Sequence, residues 1–172
     1  MTETVAYEIT EKTGDIEFRK YSRMVLATVK DNGDDQGFGL LFAYITGNNR
    51  TRKKIPMTAP VITSEQIPMT APVISDDQSM SFVMPTGKNE DDMPEPLDPR
   101  VKITAIPPRE MAVIQFKGYA TREDVNTAKA RLLDGLKEAG ITGSGQMVLM
   151  RYNAPWTPGF LRRNEVGITI TR

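Results

Sequence analysis

The sequence predicts an α+β fold in which two helices pack on one mainly antiparallel, strongly bent sheet. Three observations predict it. Apolar residues alternate with polar ones over short stretches, the period-two signature of half-buried strands. Two longer stretches carry apolar residues at helical spacing instead. The order strand, strand, helix, strand, strand runs through the chain twice, over about residues 5–85 and 100–172, with no visible identity between the two runs. Two such units can pair their sheets about a pseudo-twofold axis and carry their helices on the curved surface. A chain of 172 residues suffices for one domain with a real core.

The elements follow in order. Val5, Tyr7 and Ile9 alternate in a first strand, Thr13-Gly14-Asp15 turns, and Ile16, Phe18 and Lys20 continue as a second. Met24 to Val29 is another strand or an extension beyond Ser22-Arg23. Asp34 or Asp35 caps a helix over Gln36 to Thr46, with Phe38, Leu41, Phe42 and Ile45 in one stripe and Gly47-Asn48 as its stop. Asn48 to Lys54 is a polar, basic connector. Met80, Phe82 and Met84 form one face of a strand. Thr86 to Pro99 is rich in Pro, Gly and acid and reads as a surface crossing without regular structure.

Beyond it, Val101, Ile103 and Ala105 alternate, Pro107-Pro108-Arg109 turns, and Met111 to Lys117 is a strand. Thr121 to Asp124 resembles a capping box. The helix that follows runs to Ala139, with Val125, Ala128, Leu132, Leu133 and Leu136 inward and Gly140 as its end. Met147 to Tyr152 is a strand, and Val166, Ile168 and Ile170 alternate in the last one. Arg162-Arg163-Asn164-Glu165 reads as an anchor before that strand, Glu165 pairing with an arginine and Asn164 tending a turn.

Composition narrows the chemistry. Lys and Arg number 22 and so do Asp and Glu, so the whole chain makes no electrostatic case for nucleic acid or a membrane surface. No stretch approaches a spanning helix, and the N-terminus lacks a signal-peptide pattern. A soluble cytoplasmic protein is the expectation. There is no cysteine and no histidine. That excludes thiol nucleophiles, Ser-His-Asp catalysis, most zinc sites and a histidine-ligated haem. The acidic pairs Asp34-Asp35, Asp76-Asp77 and Asp91-Asp92 lie in loops, and neighbours on an extended chain point apart, so none makes an acid/base pair by spacing.

One phrase occurs twice. Ile55-Pro-Met-Thr-Ala-Pro-Val-Ile62 recurs unchanged as Ile67 to Ile74, an offset of twelve residues. An even offset preserves facing on a strand, so Ile, Met, Ala and Val share one side in both copies. Two readings stand: a proline-limited edge ribbon, or an apolar row, with Met57 and Met69 on it, that lines a pocket.

Several blocks together resemble the SOUL haem-binding protein family. They are Tyr7-Glu8-Ile9 with Arg19-Lys20-Tyr21, and Phe38-Gly39-Leu40-Leu41-Phe42 with Tyr44 to Asn48. The doubled phrase, Phe82 to Pro85, Pro94 to Pro99 and Gly118-Tyr119-Ala120 follow, then Arg151 to Pro158 and Leu161 to Val166. The resemblance implies a pseudo-symmetric distorted barrel flanked by two helices, similar to the effector-binding domains of some bacterial transcription regulators. It implies non-catalytic binding of haem or a porphyrin in an apolar groove bounded by the first helix and the loop at Trp156. By position, Phe38 and Phe42 would face the groove, beside Leu41 and Ile45, with Trp156 and Thr157 on the loop. Trp156 is a lid or a core plug.

The connector's Arg50, Arg52, Lys53 and Lys54 read either as a solvated loop or, Arg52 and Lys53 among them, as cations that meet the ligand's carboxylates. Iron ligation would fall to Met57, Met69, Tyr44, Tyr152 or a lysine. The chain departs from the pattern in lacking any histidine and in having Ala154 and Gly159 where prolines are common. The rival readings are a sensor or carrier of other amphipathic molecules, a protein-interaction module with its partner unspecified, and an enzyme using Glu and Tyr. A buried Glu beside a Tyr would favour the last.

Overall fold

The computed structural model describes residues 3–30, 36–52, 64–154 and 156–171. Its strands are β1 (Glu3–Thr4), β2 (Tyr7–Thr13), β3 (Ile16–Tyr21), β4 (Met24–Lys30), β5 (Asn49–Arg50), β6 (Thr70–Ser75), β7 (Ser79–Val83), β8 (Glu95–Pro96), β9 (Lys102–Ile106), β10 (Arg109–Phe116), β11 (Gly143–Arg151) and β12 (Asn164–Ile170). The helices are α1 (Gln36–Ile45) and α2 (Arg122–Ala139). The main sheet runs β2-β3-β10-β12-β11-β6-β7-β4-β9, with β1 parallel to β6 and every other pair antiparallel. α1 packs on β4 and β7, and α2 on β10, β12 and β11. The α+β class and its two helices are as the periodicities predict.

The bend has a local cause. Tyr21 faces Arg109, and three residues further along each strand Met24 faces Ile106. The register is therefore the same on both sides, and β3–β4 with β9–β10 make one long antiparallel ribbon. It breaks where Ser22-Arg23 stands opposite Pro107-Pro108, two residues with no N–H to donate. One end of the ribbon joins β12 and β11; the other joins β7 and β6. The sheet thus curls back on itself as a distorted, open barrel. Met24 to Val29 is a separate strand, and its partners are not those of β3.

The doubled phrase is not an edge ribbon where it is described. Its second copy forms β6, in the interior of the sheet between β11 and β7. The register slips between Thr70 and Val73, and the cis Ala71–Pro72 peptide sits at that dislocation, so the ladder does not need the missing proline N–H. Within this copy Ile67, Met69 and Val73 pack toward α1, and Ile74 packs on the opposite face. The first copy, and the helix cap expected at Asp34 or Asp35, lie outside the described residues.

α2 begins where Thr121 Oγ1 accepts from Asp124 N at 3.1 Å; the return bond of a full capping box is not formed. It ends at Gly140, whose φ of 70° is the left-handed turn that glycine adopts without a Cβ penalty. Ala128, Leu132 and Leu136 are buried against β10, β12 and β11, with Val125 partly so. Leu133, expected inward, is 54% exposed, because it sits about 100° round the helix from Leu132. The crossing 86–99 holds a 3-10 turn at Glu90–Asp92 and β8, which pairs with β5, so it is more ordered than its composition suggests.

Tyr44 ties that crossing to α1: its buried hydroxyl donates to the Pro94 carbonyl at 2.7 Å. Asn49, also buried, donates from Nδ2 to the Tyr44 and Glu65 carbonyls and accepts from Glu65 N. Tyr44→Phe leaves a buried carbonyl without its donor. The expected loss is about 1–3 kcal/mol, read as a lower urea midpoint with an unchanged slope.

Candidate functional site

α1 buries one face and leaves another partly open. Leu41 and Ile45 are buried with Gly37 and Tyr44, so these two predicted groove residues are core. Phe38 and Phe42 form the neighbouring stripe. Phe38 meets Phe82 edge-on, centroids 5.2 Å apart, and Phe42 stacks on Phe38 at 6.0 Å and 12°. Phe42 is 47% exposed. Met69, half-buried, packs in the same cluster.

The sheet register extends this edge into a row. Phe82 faces Val73 on β6, and Val73 faces Arg151 on β11. Directly opposed residues project from the same face, and adjacent strands lie about 4.8 Å apart. Arg151 therefore stands about 10 Å from Phe82, across a floor made by half-buried Val73. Among the described residues no carboxylate lies within ion-pair distance of Arg151. Burial, then the neighbouring Arg162 guanidinium, push its pKa below the usual arginine range. The row continues to Asn164, whose amide donates to the Gly118 carbonyl at 2.8 Å. Arg151 escapes sequence reasoning because its face is fixed only by the pairing of β11 with β6.

The other predicted site residues are dispersed. Arg52 is exposed, and its Nη1 lies 4.0 Å from Asp91 Oδ1, a surface pair worth little. Trp156 is 85% exposed, so it is no core plug. Thr157 is half-buried and its carbonyl accepts from Arg162 Nε at 2.7 Å. Lys53 and Met57 lie outside the described residues.

A second constellation lies on the opposite, concave face of the sheet. Arg19 and Glu165 are both fully buried and paired in parallel: Nη1 to Oε1 at 2.8 Å and Nη2 to Oε2 at 2.7 Å. Arg19 also donates from Nε and Nη2 to Glu17 and from Nη1 to the Tyr21 hydroxyl, so all five of its N–H groups are used. Its guanidinium lies 3.9 Å from the Tyr7 ring centroid. Glu165 accepts further bonds from Tyr152 at 2.7 Å, Gln115 at 2.9 Å and Arg163 at 2.9 Å.

Burial alone would raise the Glu165 carboxyl. The Arg19 guanidinium, helped by Tyr152 and Arg163, outweighs that and holds it below its ordinary value. Burial, and the charge of Glu165, push the Tyr152 phenol far up. A carboxylate kept ionised and saturated with donors is a poor proton acceptor. The expected pairing of Glu165 with an arginine is present, with Arg19 as the partner the sequence did not reveal. Its signal was the polar alternate row Glu17, Arg19, Tyr21 opposite Ile16 and Phe18.

The blocks quoted above match as a whole: the model of the SOUL heme-binding protein family covers residues 2–169. The chain belongs to the SOUL heme-binding protein family. No curated protein matches this SOUL sequence. Its fold is similar to that of a hydrolase from Listeria innocua, with 13% identity and a TM-score of 0.57 over 94% of each chain. It is also similar to the EcmrR C-terminal domain, with 11% identity and a TM-score of 0.56 over 96% of this chain and 98% of that one. An uncharacterized conserved protein from Listeria innocua gives 12% and 0.57, over 91% of the SOUL chain and 92% of its own. At such identities the likeness is one of fold. Among the described residues no SOUL helix is long and apolar enough to cross a membrane, and no three acidic side chains are grouped to hold a metal ion.

Proposed function

We propose that the protein binds haem or a similar planar, apolar, acid-bearing ligand without catalysing its turnover, in the groove between the outer edge of α1 and Arg151. One observation carries this reading. The stacked pair Phe38–Phe42 leaves half of Phe42 exposed, and Phe82, on which Phe38 stands, is in register across Val73 with Arg151, which has no acid partner among the described residues. An aromatic wall favours a flat ring by stacking and burial. An arginine whose backbone lies two strand spacings, about 10 Å, from that of Phe82 suits a carboxylate on the ring's edge.

The ligand would be held chiefly by its ring. With no histidine or cysteine in the chain, iron could be met only by a weaker donor, and half-buried Met69 is a described methionine of the cluster that holds the aromatic wall. Such haem would exchange rather than serve as a redox centre. The Glu165–Tyr152 contact supports structure more than hydrolysis, because every lone pair of that carboxylate is engaged.

Titration with ferric haem, and with iron-free protoporphyrin as control, tests the reading through the Soret band. Both are expected to saturate at one per chain. Phe42→Ala should weaken both by about 10- to 100-fold, the value of one buried phenylalanine. Arg151→Ala should weaken the free acid but not its dimethyl ester. No saturable binding of either ring ends the proposal; unchanged affinity in Phe42→Ala moves the site elsewhere.

A further inference from the structure

We infer that the loop between β11 and β12 docks the protein on an anionic lipid surface. Three large apolar side chains project from it: Trp156 is 85% exposed, Phe160 73% and Leu161 60%. Tyr119, from the loop before α2, is 62% exposed and lies against the same place, for a Cβ on Gly159 would come within 2.6 Å of its ring. Tyr119 thus adjoins the turn that carries Phe160 and Leu161, with Trp156 three residues before Gly159 on the same loop. Such clusters mark interaction surfaces.

Part of the loop's backbone is hydrogen-bonded within the fold. Thr157 N donates to Ala154 O at 3.0 Å, Leu161 N to Pro158 O at 2.9 Å and Arg162 N to Gly159 O at 3.1 Å. Gly118 N donates to Gly159 O at 3.0 Å, and Pro158 has no N–H. The N–H groups of Thr157, Leu161 and Arg162 thus bond within the loop, which lowers the cost of bringing its tip to a lipid interface. A protein interface instead draws about one hydrogen bond per 100–200 Å² across the contact.

Charge completes the fit. Arg151 stands at one foot of the loop with no carboxylate among the described residues within ion-pair distance, and Arg162 stands at the other, donating from Nε to the Thr157 carbonyl at 2.7 Å with its guanidinium 4.6 Å from the Tyr119 ring centroid. The nearby acids Glu123 and Asp124 belong to the first turn of α2. Aromatic and aliphatic tips below the headgroups, with guanidinium groups at phosphate level, form an interfacial anchor. The balanced total of 22 cations and 22 anions conceals this local arrangement. Arg151 also borders the proposed groove, so only the apolar tips and Arg162 are the loop's own.

Trp156 is the sole tryptophan, so the wild-type chain reports on its own docking. Its fluorescence is followed as the protein meets vesicles of phosphatidylcholine, with or without phosphatidylglycerol. The expected result is a blue shift with the anionic vesicles, quenching by bromine-labelled lipid, and weakening as salt rises. Phe160→Ser with Leu161→Ser, both on exposed positions and leaving Trp156 in place, should lower the affinity about tenfold or more. An unchanged thermal midpoint shows that this variant still folds. No shift with anionic vesicles overturns the inference, and so does an equal shift with phosphatidylcholine alone. A shift that follows protein concentration without lipid overturns it in favour of a second copy of the chain.

Discussion

Glu165→Ala is expected to destabilise the protein by about 3–5 kcal/mol, the cost of leaving a buried guanidinium without its partner. In a domain of this size that lowers the thermal midpoint by about 10 °C or more. Arg19 keeps Glu17, but Glu17 is at the cluster's open margin, with a side chain 18% exposed. The double change Arg19→Met with Glu165→Leu should cost less than Glu165→Ala alone, because no lone charge then stays buried. It will not be neutral, since Tyr152 and Gln115 lose their acceptor.

The same carboxyl sets a pH signature. Its folded pKa lies below the ordinary value of 4.5, so its contribution is complete above that value and is lost as the pH falls below it. Glu165→Gln should flatten that acid-side slope in urea melts at successive pH values. A loss below about 1 kcal/mol in Glu165→Ala, the scale of a surface pair, would mean that the cluster contributes no more than exposed ion pairs do.

Phe82→Ala should cost about 3–5 kcal/mol, as large aromatic truncations in closed cores do. Phe82 is 1% exposed and forms the base on which Phe38 stands. The change removes core volume and also the support that keeps Phe38 and Phe42 at the rim. Ring binding should therefore fall in this variant at temperatures where it is still folded, whereas Leu132→Ala should destabilise similarly and leave binding alone. Leu132 is buried under α2 on the other half of the sheet. Equal effects of the two variants on binding would separate the groove from α1.

Most of the element order was legible because alternation and helical spacing are local signals. α1 was expected over Gln36 to Thr46 and spans Gln36–Ile45; α2 was expected to close at Gly140 and does. Pairing was not legible. Arg19 and Glu165 are 146 residues apart, and nothing near either announces the other. The stripe Phe38, Leu41, Phe42, Ile45 was read as one face. The helix divides it, because burial of Tyr44 and Gly37 turns Leu41 and Ile45 inward and leaves the two phenylalanines at the rim. Proline in Ile67 to Ile74 argued for an edge, since propensity cannot foresee a register slip that absorbs it.

The ribbon has a meaning beyond curvature. β3 and β4 are neighbours in sequence, yet β3 pairs with β10 and β4 with β9. Each half of the chain thus lends a strand to the other, and equivalent strands β6 and β11 meet along the seam. One half by itself would have strands whose partners belong to the missing half. Two identical halves would meet this need by exchange about a twofold axis. The single chain is in effect a strand-swapped dimer written in tandem.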